Sequence, residues 1–215
     1  MERSFRLNAR PLVGLVSVVA LGLSMFGMGC RHRTHAKVLR PDKKDMIGTT
    51  GAGAETFKPL VDTAVCTLLE RHASGIQSVG APPAGPMRIC FIGVENKSAE
   101  EIGDFKEQIY EHIDTHIEQS HIYHPISKRF VDAALRETRL RPDELFLPKN
   151  MRAFAASLEQ QGQPVDYLLY AKITSGTTRK RHDMQRDYVL TMELVDIRTG
   201  DYDKESAMIR KKYDR

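Results

Sequence analysis

The sequence predicts an α/β (α+β) domain: a mixed β-sheet of about five strands with helices packed mainly on one face, in the order α-β-α-β-α-α-β-β-β. Three observations predict it. RICFIGV (residues 88–94) is apolar on both faces, as a central strand covered on two sides would be. Phe105, Ile109, Ile113 and Ile117 recur every four residues, which is one stripe of a helix. VDYLLYAKITS (165–175) and DYVLTMELVDI (187–197) alternate as sheet strands do.

The elements follow in order. Leu60, Val61, Ala64, Val65, Leu68 and Leu69 lie at helical spacing within residues 57–71. The Pro/Gly stretch VGAPPAGP then forms a surface loop before the first strand. The second helix spans residues 104–119, with Gly103 or Asp104 at its start. Residues 122–126 form a short strand. Residues 128–140 form a helix with Phe130, Val131, Ala134 and Leu135 inward. Asn150 caps a further helix carrying Met151, Phe154, Ala155 and Leu158, which ends near Gly162. In the strand at 187–197, Tyr188, Leu190, Met192 and Leu194 face one way, and Thr191 and Glu193 the other. The turn Arg198-Thr199-Gly200-Asp201 leads into a charged last strand near 204–213, whose charges suit a sheet edge.

The chain has 215 residues, which suits one domain with appendages. Its formal net charge is +4. Residues 1–29 contribute Arg3, Arg6 and Arg10 against Glu2, so the remainder is close to neutral and carries no nucleic-acid signature. Those 29 residues read as an export signal: a basic start, the apolar run PLVGLVSVVALGLSMFGM, then Gly29 and Cys30. Cleavage without lipid, or an uncleaved anchor, are the alternatives to attachment through Cys30. Residues 30–55 are polar, basic and Gly-rich, a flexible tether. Residues 56–215 then form the folded domain.

FGMGC resembles the bacterial lipoprotein signal, in which a cysteine after a small residue is lipidated. Arg31 follows Cys30, which by that resemblance favours the outer membrane. The cysteine, the tether, FIGVENKS, DFKEQIYEHIDTHIEQS, YLLYAKITSG and YVLTMELVDIRTGD together resemble the penicillin-binding-protein activator lipoproteins, the LpoB family. The resemblance runs from about Phe57 to the end of the chain. It implies a periplasmic, lipid-anchored protein without catalytic residues or cofactor. Such a protein would dock on a bifunctional peptidoglycan synthase and favour its active state. The alternative is an envelope lipoprotein of a secretion or surface-assembly system with a related fold.

Four histidines lie within EHIDTHIEQSHIYH. His112 and His116 are four apart and share a helix face, a spacing that can grip zinc. The order His-Ile-Asp-Thr-His lacks the glutamate of a helical zinc hydrolase, and His121 and His124 cross a helix end into a strand. The expectation is therefore no metal site, with the histidines edging the core or flanking a turn. Cys66 and Cys90 are compatible with a disulfide or with two free thiols. The carboxylate pairs Glu100-Glu101 and Asp143-Glu144 are read as complementing helix N-termini. SGTTRKRHDMQR (175–186) is read as a hairpin loop. Its Arg179, Lys180, Arg181 and Arg186 form either a solvated surface or an electrostatic docking patch for an acidic partner.

Overall fold

The structure, a computed structural model, describes Lys44, Ile47 and residues 51–79, 85–180 and 183–214. The expected signal, Cys30 and residues 80–84 of the Pro/Gly loop lie outside them. Helix α1 spans Ala54–Val79, strand β1 Met87–Lys97, α2 Phe105–Gln119, β2 Tyr123–Pro125 and α3 Lys128–Thr138. A 3-10 turn at Pro142–Glu144 leads to α4, Pro148–Gln160. Strands β3 (Tyr167–Lys180), β4 (Asp183–Asp196) and β5 (Tyr202–Asp214) complete a mixed five-stranded sheet of order β2-β1-β3-β4-β5. β1 runs parallel to β2 and β3; the last two pairings are antiparallel. The fold class and element order are those the sequence predicts; the helices, expected mainly on one face, pack two on each.

Strand alternation divides the core in two. Ile89, Phe91, Leu169, Ala171, Ile173, Tyr188, Leu190, Met192 and Leu194 face α1 and α2 in the larger cluster. On α1 the stripe Leu60, Val61, Ala64, Val65, Leu68, Leu69 is buried throughout. Each leucine or valine of the stripe contributes about 1.5–3 kcal/mol on leaving water. Cys90, Ile92 and Leu168 point the other way, under α3 and α4, in a smaller cluster with Phe154 and Leu158. A β-bulge between Phe91 and Gly93 adds one residue to β1 opposite β3. Gly93 takes φ +139°, which a side chain would resist. The bulge is why Phe91 and Val94, three apart, enter the same core.

The structure corrects several boundaries. α4 starts at Pro148 rather than at an Asn150 cap, because proline's fixed φ suits the first helical position. Asn150 instead donates Nδ2–H to the Glu144 carbonyl at 3.0 Å, tying the 3-10 turn to the helix. Phe130 is not inward: α3 buries Val131 and Ala134, and Phe130 stands at the shoulder, exposed. Residues 175–186 are not a loop. β3 runs to Lys180 and β4 starts at Asp183, paired from Ser175↔Tyr188 to Lys180↔Asp183. Cys66 and Cys90 are free thiols. Cys66 lies on α1, and Cys90 faces the opposite side of the sheet, so alternation keeps the sulfurs apart.

Candidate docking surface

The face of β1, β3 and β4 opposite α1 and α2 is covered by α3 and α4 at one end only. Beside them lies a groove of about 790 Å³. Phe146 stacks on Tyr170 at one wall, ring centroids 4.5 Å apart. Gly93, Lys172, Thr191 and Glu193 line the groove's sheet side, and Lys106 and Tyr110 of α2, with Lys128, also line it. Phe146 is 55% exposed, so the wall presents apolar surface to any occupant. Burial pushes the Tyr170 phenol well above its ordinary range, aided by the charge of Glu193. It therefore stays a neutral hydrogen-bonding group. Thr191 and Glu193 face away from the main core, as their alternation requires.

The four basic residues read as one patch take different places. Arg179 and Lys180 are exposed at the far end of the β3–β4 hairpin. Arg181 lies outside the described residues. Arg186 turns in and forms an ion pair with Glu100. Glu100 also accepts the Tyr188 hydroxyl at 2.8 Å and the Ala52 N–H at 2.9 Å. It thus anchors a polar latch and does not complement a helix dipole as its sequence context suggests. Lys211 extends this latch, donating to the Gly51 carbonyl at 3.0 Å and to Glu55 Oε1 at 2.6 Å. Partial burial works to raise the Glu55 pKa, but the hydrogen bond from Lys211 and the backbone donors outweigh it and hold the carboxyl below its ordinary value. Glu144 does cap: its Oε2 accepts the Arg141 N–H at 2.8 Å.

The histidines also separate. His112 and His116 sit beside each other on α2, ring centroids 4.8 Å apart. Asp62 of α1 joins them, its Oδ1 2.7 Å from His112 Nε2 and 2.8 Å from His116 Nε2. His121 has left-handed backbone, φ +59°, at the turn, and His124 faces Glu118 at 3.5 Å. Asp62 is the residue sequence reasoning missed, because it comes from another helix fifty positions away.

The family model described as peptidoglycan-synthase activator LpoB matches residues 77–202. The chain belongs to the LpoB family. Its match takes in β1 to β4 and every element that forms the groove. Among solved structures, the chain is similar to the LpoB C-terminal domain from Salmonella enterica, with 14% identity and a TM-score of 0.46; 73% of this chain and 96% of that one are covered. The corresponding domain from Escherichia coli gives 14% identity and a TM-score of 0.47, over 70% and 97%. Lipoprotein GNA1162 from Neisseria meningitidis gives 18% identity and a TM-score of 0.43, over 59% and 84%. No curated protein matches the sequence.

Proposed function

We propose that this chain is a periplasmic lipoprotein, held at the outer membrane through lipid on Cys30, that binds and activates a bifunctional peptidoglycan synthase of the penicillin-binding class. The observation that carries this reading is the LpoB family match over residues 77–202. The chain acts by contact and not as an enzyme. Docking raises synthase activity only if the chain binds the active state more tightly than the inactive one. A triacylated Cys30 gives lasting attachment where a single acyl chain gives marginal binding. The polar segment after it tethers the domain and raises its effective concentration near the synthase, while residues 51–55, expected to belong to that segment, are held to the fold through Gly51, Ala52 and Glu55.

The groove walled by Phe146 and Tyr170 is the apolar anchor point of the docking surface. Arg179 and Lys180 at the hairpin end, with Arg181, steer an acidic partner toward it. The test uses full-length chain purified in detergent with a purified bifunctional synthase. Glycan polymerisation should accelerate on mixing. Phe146→Ala should abolish most of that gain. Replacing Arg179, Lys180 and Arg181 by Ala should slow association and flatten its salt dependence. In cells, labelled fatty acid should enter the parent and not a Cys30→Ala chain. An unstimulated synthase, or crosslinked cells that yield a secretion channel and no synthase, would overturn the proposal.

A further inference from the structure

We propose that Asp62, His112 and His116 form a divalent transition-metal site, of the zinc class, that clips α1 to α2. The two imidazoles stand one helical turn apart on α2, and the carboxylate comes from the facing helix. Their donor atoms all lie within 4.8 Å of one another. Both Nε2 atoms converge on one oxygen, Asp62 Oδ1, so the rings already aim at a common point. Two imidazoles and one carboxylate are a three-ligand set, with the fourth tetrahedral position left to water. Imidazole donors favour zinc, copper or nickel over magnesium or calcium, which prefer oxygen.

Two ring N–H groups shared by one carboxylate also satisfy this geometry, so the space and freedom for an ion decide the matter. Zinc bonds of 2.0–2.1 Å place tetrahedral donors about 3.3 Å apart. Asp62 must therefore withdraw by roughly half an ångström from the rings to admit the ion. Its side chain is 52% exposed, against 34% for His112 and 19% for His116, so the carboxylate is the donor freest to move. The other nitrogen of His116 is accounted for too. Nδ1 lies 3.7 Å from Cys66 Sγ, one turn along α1 from Asp62. A ring that binds metal through Nε2 carries its proton on Nδ1, and the sulfur is placed to accept it. Such contacts to the second nitrogen fix the tautomer and aim of metal-binding imidazoles. Cys66 is a positioning residue here, not a ligand, because its sulfur meets the second ring nitrogen of His116 and not the point on which the two Nε2 atoms converge.

The experiment uses the full-length chain in detergent, freed of metal by a chelator, and titrated with Zn²⁺ against a chromogenic competitor. The parent should bind, and His112→Asn and His116→Ala should each weaken binding by at least about tenfold. His124→Ala should change nothing, and millimolar Mg²⁺ should not compete. Zn²⁺ should raise the melting temperature of the parent and not that of His112→Asn, because a ligand held only by the folded state stabilises it. Should His116→Ala fail to fold by circular dichroism, the more exposed His112→Asn decides alone. Equal affinity in parent and variants, no competition for Zn²⁺ at all, or displacement by Mg²⁺ would each overturn the site.

Discussion

Removing Arg186 should weaken the fold, although removing its basic neighbours on the same hairpin should not. The Arg186 and Glu100 side chains are 14% and 17% exposed, so the pair is largely withdrawn from water. Breaking one partner of a fully buried pair costs about 3–5 kcal/mol. An exposed pair is worth less than about 1 kcal/mol. Glu100 keeps two other donors, the Tyr188 hydroxyl and the Ala52 N–H, which satisfy part of the charge left behind. The cost of Arg186→Ala therefore falls between those limits, at about 2 kcal/mol. For a folded unit of this size that lowers the melting temperature by about 4–8 °C. Urea unfolding of the full-length chain, followed by circular dichroism, measures it. Arg179→Ala with Lys180→Ala removes comparable charge and should stay within about 0.5 kcal/mol of the parent. A double-mutant cycle with Glu100→Gln should give a coupling above about 0.5 kcal/mol. Equal, small losses for Arg186→Ala and the Arg179/Lys180 variant would refute the latch and return Arg186 to the docking patch.

Phe154→Ala should cost about 3–5 kcal/mol by the same assay, since the ring is fully buried between α4 and the sheet. A loss under 1 kcal/mol would mean that the smaller cluster is not a packed core. Asp114→Asn should stabilise the protein near neutral pH. Burial raises the Asp114 pKa above its ordinary 3.8, with Glu111 and Glu118 adding to the rise, and its buried Oδ1 has no partner among the described residues. An acid whose folded pKa is raised destabilises the fold fully above that value, and the penalty fades as pH falls through it toward 3.8. The gain from Asp114→Asn should therefore shrink on acidification; a gain independent of pH would remove the charge from the explanation.

The sheet was legible because burial writes itself into alternation. Tyr188, Leu190, Met192 and Leu194 lie on the core face, and Thr191 and Glu193 line the opposite face, as read from the sequence. The far half of the β3–β4 hairpin was not legible, for the same reason inverted. Residues 176–180 are exposed at every position, so no apolar period marks them. What holds them as strand is the ladder itself, from Gly176↔Asp187 to Lys180↔Asp183, with Thr177 and Thr178 favouring extended backbone. Backbone pairing leaves little trace in side-chain chemistry, and a stretch rich in Arg, Lys and Asp then looks like a loop.

The polar sites were hidden by distance along the chain. His112 and His116 are readable as one helix face, but Asp62 reaches them from fifty residues away. Glu100 looks like a residue preparing a helix until β4 delivers Arg186 and Tyr188 to it. Tyr170 reads only as an alternating strand aromatic, yet α3 and α4 leave it half covered and bring Phe146 onto its ring. In each case a local pattern supplies one partner and the topology supplies the other. The placement of α3 and α4 over only part of their sheet face also has a functional side. Had they covered all of it, Lys172 and the charged pair of Glu193 with Lys204 would be withdrawn from water, at a cost in desolvation. Left open, Lys172 and Glu193 keep their contact with water and form the floor of the groove that the docking proposal invokes.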